Sequence, residues 1–203
     1  MRCLPDEELA RLAAAGRLDC VEELLARYRD RVYRVCYRCA GNPEDAEDWA
    51  QECFIRAYRH LGHYDPDLPF EPWLLRTVSN TCVNLAKTRS RRRRQAEVDI
   101  ARLEECPGRG PVVDPLDRAL CAEEERQALG AVESLPPEMR IAVVLRVLEE
   151  LSFRELAEVL GVPLQTAATR VRRALALVRK EMRTKDAAGS RRPAGRPRWT
   201  DEL

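Results

Sequence analysis

Aromatic side chains make up only 5% of this chain, and histidine occurs just twice. Strands favour aromatic and β-branched residues in alternation with polar ones, and no stretch here shows that alternation. A sheet-based fold is not expected. Long hydrophobic runs are missing as well: nothing approaches the roughly 20 apolar residues of a membrane-spanning helix. The N-terminal MRCLPDEELARLAAAGRLD has acids where a signal peptide carries its apolar core. The expectation is a cytoplasmic protein without membrane insertion, whose eight cysteines stay as thiols. There is no Gly-rich phosphate loop and no nucleophile–base set. The chain therefore does not read as an enzyme, and it implies no cofactor.

What is there favours helices. Of 203 residues, 45% are hydrophobic and 34% charged, with Leu, Ala, Val, Arg and Glu dominating. The net charge of +1 hides a bipolar distribution. Lys87, Arg89 and Arg91 to Arg94 form a basic block with no acid. Residues 95 to 134 are predominantly acidic. From Val162 to Arg183 the balance is basic again, through Arg170, Arg172, Arg173, Arg179, Lys180 and Arg183 against Glu181 alone.

Punctuation divides the chain. Gly41, Asn42 and Pro43 separate two helical patterns. Pro66, Pro69 and Pro72 mark a loop, and CPGRGPVVDP at 106 to 115 reads as a linker. Leu135, Pro136 and Pro137 open a new helix, since Pro is tolerated in a first turn. The fold class is all-α: two small helical domains at 8–94 and 118–184, an acidic linker at 95–117, and a basic, disordered tail at 185–203.

Three helix faces carry chemistry. On the helix from Trp73 to about Arg89, Arg76, Asn80, Asn84 and Lys87 fall on one side at about 100° per residue. Leu74, Val78, Cys82 and Leu85 fall on the other. A solvated face is the usual explanation of such a pattern. Asn is a poor helix former, however, and two of them one turn apart suit hydrogen bonding to bases and phosphates. Beyond them, Arg91 to Arg94 read as a frayed end that attracts phosphates generically. The helix from Pro43 to about Leu61 buries Ala46, Ala50, Cys53, Phe54, Ala57 and Leu61. It gathers Asp45, Asp48, Gln51 and Glu52 outside, which suits docking of a basic partner helix.

The third face is the most specific. LSFRELAEVLGVPLQTAATRVRR at 151 to 173 has the spacing of a helix-turn-helix, with Gly161 in the turn. Ser152 and Glu155 have the spacing of a capping box. Leu156, Ala157 and Leu160 point inward on the first helix. On the second, Leu164, Ala167, Val171, Ala174, Leu175, Val178 and Met182 share an arc. Gln165, Thr166, Thr169, Arg170, Arg173 and Lys180 take the opposite side, short polar groups first for base edges and cations after for phosphates.

Cys36-x-x-Cys39 and His60-x-x-His63 have the spacing of a zinc quartet. In a helical hairpin turning at Gly41, Cys39 would face about residue 45, leaving His60 about 22 Å away. The quartet does not close, and Cys36 and Cys39 read as core thiols. A redox role for one of the eight cysteines is left open.

Three blocks in order, DWAQECFIRAYRHL (48–61), FEPWLLRTVSNTCVNLAK (70–87) and LPPEMRIAVVLRVLEELSFRELAEVLGVPLQTAATRVRRA (135–174), resemble a bacterial RNA polymerase sigma factor of the extracytoplasmic-function group. The resemblance covers about residues 8 to 183. It implies two helical domains on a flexible linker, with core RNA polymerase and promoter DNA as partners and an inhibitory anti-sigma factor besides.

By the same resemblance, Asp48, Gln51 and Glu52 dock on the coiled-coil of the polymerase's largest subunit. The loop from His63 to Pro72, with Tyr64, Asp65, Phe70 and Trp73, captures a flipped base of the minus-ten element. Arg76, Asn80, Asn84 and Lys87 face the melted strand. Gln165, Thr166, Thr169, Arg170, Arg172 and Arg173 read the minus-thirty-five element in the major groove. Asp65-Pro66-Asp67, Pro72 and Gln165 depart from the common pattern of the family. The alternative is a stand-alone helix-turn-helix regulator without polymerase docking.

Overall fold

The computed structural model describes residues 4–100 and 130–188; side chains at 93, 94, 96–100 and 184–188 are outside that description. Among the described residues every regular element is a helix. The first module holds α1 (Asp6–Ala14), α2 (Leu18–Ala40), α3 (Pro43–His60), a 3₁₀ turn (Leu61–His63) and α4 (Phe70–Ile100). The second holds a helical turn at 130–133, then α5 (Pro137–Leu148), α6 (Phe153–Leu160) and α7 (Leu164–Ala188).

Local chemistry sets most boundaries. Gly41 closes α2 with φ 83°, a left-handed conformation that costs Gly little. Asn42 then caps α3, its side chain accepting a hydrogen bond from the Asp45 N–H at 2.8 Å, and Pro43 fills the first turn. Pro137 begins α5 directly after Pro136.

One boundary differs from the sequence reading. α4 does not fray at the Arg block but runs on to Ile100, so residues 95–100 of the expected linker are helical. Arg, Gln, Ala and Glu are good helix formers, and neither Gly nor Pro interrupts the chain before Pro107. The rest of that linker, residues 118–129 of the expected second domain and the tail beyond Ala188 lie outside the described residues.

The core of the first module lies between α2, α3 and α4, where Val32, Val35, Cys36, Cys53, Leu75, Val78 and Cys82 are almost fully buried. Burial of each aliphatic side chain contributes about 1.5–3 kcal/mol. Trp49 on α3 joins this core, although the sequence pattern did not assign it there, while Phe54 is only partly buried. In the second module Ile141, Leu145, Leu156, Val159, Ala167, Val171 and Val178 interlock. Leu164, expected inward, is 54% exposed at the first residue of α7, whereas Ala167 in the same turn is buried. The two modules are packed together: α5 rests on α2 and α4, and α6 rests on α4.

Candidate nucleic-acid and polymerase interfaces

The α3 face is open. Asp48 and Gln51 are exposed, and Glu52 is half-exposed and paired with Arg56 at 2.6 Å, one turn along the same helix. Asp45 does not belong to this patch. Its carboxylate accepts from Asn42 at 2.7 Å and pairs with Arg89 at 3.0 Å, tying the start of α3 to α4. Two residues missed by the sequence reading extend the patch: Ile55 (37% exposed) and Tyr58 (51%). Their signal was present, since they follow Asp48 and Gln51 at helical spacing.

Between α3 and α4 the loop is held by an aromatic cluster. Tyr64 packs edge-on to Phe70 with centroids 5.4 Å apart, and Trp73 lies 5.2 Å from Tyr64 and 5.5 Å from Phe70. The Tyr64 hydroxyl donates to the Leu68 carbonyl, closing the loop on itself. Burial, with Glu7, Asp65 and Asp6 nearby, pushes this phenol up to about 12. Tyr64 and Phe70 are therefore buried and form the floor of the loop. His63 and Asp65 stand exposed above them, and Trp73 is partly exposed.

On α4 the predicted sorting holds except at Leu85, which is only partly buried. Leu74, Val78 and Cys82 are buried, while Arg76, Asn80, Asn84 and Lys87 are exposed. The buried hydroxyls of Ser79 and Thr81 are satisfied by the carbonyls of Leu75 and Thr77. The basic block divides. Arg89 is structural, donating to the Ala40 carbonyl at 2.7 Å as well as pairing with Asp45. Arg91 and Arg92 are exposed.

The helix-turn-helix is built from α6 and α7. Ser152 accepts from the Glu155 N–H at 3.3 Å and Glu155 accepts from the Ser152 N–H at 2.7 Å, completing the capping box. Gly161 ends α6 at φ 63°. Gln165, Arg172 and Arg173 are exposed on α7, with Thr166, Thr169 and Arg170 half-buried. Gln165, Thr166, Thr169, Arg170 and Arg173 line one shallow cavity together with Met139 of α5.

The modules meet across these same faces. The Lys87 ammonium pairs with Glu138 of α5 at 2.5 Å. The Arg76 guanidinium lies over the turn of the helix-turn-helix, 2.9 Å from where a Cβ on residue 161 would stand. Arg140 of α5 donates to the Cys39 carbonyl at 2.5 Å and to the carbonyls of Glu133 and Leu135. His60 and His63 contact each other, ring centroids 6.2 Å apart, and neither joins a ligand cluster with cysteine among the described residues.

Residues 24–93 match the family Sigma-70 region 2, and residues 125–178 match Sigma-70, region 4. Over 175 residues the chain is 31% identical to the ECF RNA polymerase sigma factor SigW of Bacillus subtilis, an alignment covering 83% of this chain and 91% of that protein. This chain belongs to the extracytoplasmic-function sigma factors of RNA polymerase.

It is 32% identical to the sigma-E factor of Escherichia coli K12, over 84% of this chain and 91% of the relative. It is 40% identical to SigE of Mycolicibacterium smegmatis over 75% of its own length, but spans only 57% of that protein. Among solved structures, CnrH in complex with the cytosolic domain of CnrY superposes with TM-score 0.60 at 23% identity, over 88% of this chain and 97% of that one. The sigma factor RpoE of Bartonella quintana, in complex with the anti-sigma factor NepR, superposes with TM-score 0.57 at 18% identity, over 80% and 96%. These likenesses establish the shared fold. Among the described residues, no helix of this sigma factor is long and apolar enough to cross a membrane.

Proposed function

We propose that this sigma factor binds core RNA polymerase through α3, opens and reads the minus-ten element with α4 and the loop before it, and reads the minus-thirty-five element with α7. The observation that carries the proposal is the presence, in one chain of this family, of three polar helix faces each backed by a packed core. Asp48, Gln51 and Glu52, with Ile55 and Tyr58 beside them, offer an acidic patch rimmed by apolar surface to a basic partner helix. His63, Asp65 and Trp73 surround the loop in which a flipped base is captured, and Tyr64 and Phe70 hold that loop in shape. Unstacking a base costs a few kcal/mol, which the pocket repays only where strands separate. Arg76, Asn80, Asn84 and Lys87 follow the melted strand. Gln165, Thr166, Thr169 and Arg170 meet base edges, while Arg172 and Arg173 meet phosphates.

Residues 8–94 form the polymerase-docking and minus-ten unit, and residues 118–184 the minus-thirty-five unit. Core polymerase holds both on one promoter, which raises the effective concentration of the second contact once the first is made. The protein acts in the cytoplasm, where its polymerase is. An anti-sigma factor is its proposed inhibitor, a reading supported by the likeness to the sigma factor RpoE of Bartonella quintana, which was solved with the anti-sigma factor NepR.

The test is transcription by core polymerase plus this protein on a promoter library, with transcript ends sequenced. Initiation from a defined promoter set is expected. Folded, inhibitor-free protein that gives none would overturn the proposal.

A further inference from the structure

Three cysteines from three helices converge in the core of the first module: Cys36 on α2, Cys53 on α3 and Cys82 on α4. Each is at most 2% exposed. The Cys36 sulfur lies 3.8 Å from that of Cys53 and 3.8 Å from that of Cys82, and all three lie within 4.8 Å of one another. Cys39, one turn along α2 from Cys36, is buried as well, with its sulfur outside this group of three.

Thiols 3.8 Å apart can make weak S–H···S hydrogen bonds. The same convergence suits metal ligation, because it brings three soft donors from three helices to one point. A zinc–thiolate bond is about 2.3 Å, so the edge of a tetrahedron of thiolates around zinc is about 3.8 Å. That is the spacing from Cys36 to both of its neighbours.

One positive charge stands close by: the Arg140 guanidinium, from the other module, donates to the Cys39 carbonyl at 2.5 Å.

We propose that Cys36, Cys53 and Cys82 form a zinc(II) thiolate site that ties α2, α3 and α4 together, with Cys39, one turn along α2 from Cys36, closing the fourth position once its side chain turns toward the ion. Binding releases the thiol protons to solvent and changes no oxidation state. The centre is closed to solvent, so the ion enters as the chain folds, and its binding free energy adds to the stability of this module.

The full chain, unfolded with reductant and chelator, is refolded with increasing cobalt(II) as the spectroscopic probe. A thiolate-to-cobalt charge-transfer band and intense tetrahedral d–d bands are expected to saturate at one equivalent. Zinc(II) should then displace them, and Tm should rise. The triple variant Cys3→Ser/Cys106→Ser/Cys121→Ser should keep the bands. Cys36→Ser and Cys53→Ser should each lose them at least tenfold, with far-ultraviolet circular dichroism reporting whether each variant folds. A folded wild-type chain with no charge-transfer band overturns the proposal, whatever the variants do. Bands that vanish in the triple variant, or persist in folded Cys36→Ser, overturn it too.

Discussion

Arg31, midway along α2, forms an ion pair with Glu149 at the C-terminal end of α5, and so fastens one module to the other. The same guanidinium reaches Glu71 at 2.8 Å. The Glu149 side chain is only 4% exposed, and its second oxygen has no protein hydrogen-bond partner. A carboxylate at a helix C-terminus also opposes the helix dipole. Without Arg31 this charge is tolerable only in water, and water reaches it if the modules part. Arg31→Ala is therefore expected to open the molecule rather than unfold it. Small-angle scattering should show a larger radius of gyration at unchanged helix content; an unchanged radius would sink this reading.

Closure should also depend on pH. Hydrogen bonding to Lys87 holds the Glu138 carboxyl below its ordinary value. A carboxylate depressed in this way stabilises the closed arrangement above its ordinary pKa, and that contribution is lost as pH falls through the lowered value. The pair is partly solvent-exposed, so its effect is small and screened by salt. Energy transfer between labels on α3 and α7 should report opening in acid and in high salt. Glu138→Gln should flatten the acid response while leaving other residues' contributions in place.

Reversing charge on α3 separates docking from DNA reading. Asp48→Lys/Glu52→Lys removes the exposed acids and the Glu52–Arg56 pair, a surface i,i+4 contact of about 0.3–0.5 kcal/mol. Thermal stability should barely change. Affinity for core polymerase should fall at least tenfold by a direct binding assay. A stand-alone DNA-binding regulator would show no effect of this change on its function.

The α4 and α7 faces should give distinct signatures. Arg91→Gln/Arg92→Gln should weaken all promoters alike and lower the salt dependence by about 0.7–0.9 log units per lost phosphate contact. Asn80→Ala or Asn84→Ala should change which promoters open. Arg170→Ala should cost about 1–3 kcal/mol at one base pair of the minus-thirty-five element and relax discrimination there. Equal, uniform losses from all of these changes would contradict the assignment.

Two local substitutions test the helix-turn-helix itself. Ser152→Ala removes half of the capping box and should cost about 0.5–2 kcal/mol. Gly161→Ala forces a side chain to φ 63°, at about 1–2 kcal/mol, and presses a methyl toward Arg76. The guanidinium can swing aside, so the backbone conformation should dominate, and Tm should fall similarly in Arg76→Ala/Gly161→Ala.

The division of α4 into a buried and a polar face was legible in its sequence, because a helical period needs no partner to be read. So were the capping box at Ser152, the turn at Gly161 and the start of α5 at Pro137. Residue-level errors arose where distant elements decide. Trp49 is buried because α3 lies between α2 and α4, whereas Leu164, the first residue of α7, is left exposed while Ala167 beside it is covered. Arg89 reads as one more phosphate-seeking cation until α4 is laid beside the α2–α3 turn.

Helix periodicity, caps and charge order act over a few residues along the chain, and they sufficed to determine the helices, their outward faces and the sigma-factor resemblance. Tertiary packing alone decided what meets across the core. Cys36, Cys53 and Cys82 stand far apart in sequence, and only the crossing of three helices brings their sulfurs together. The closure of one module on the other likewise rests on pairs such as Arg31–Glu149 and Lys87–Glu138, whose members come from separate domains. No local rule couples such residues, since their approach depends on how whole helices dock.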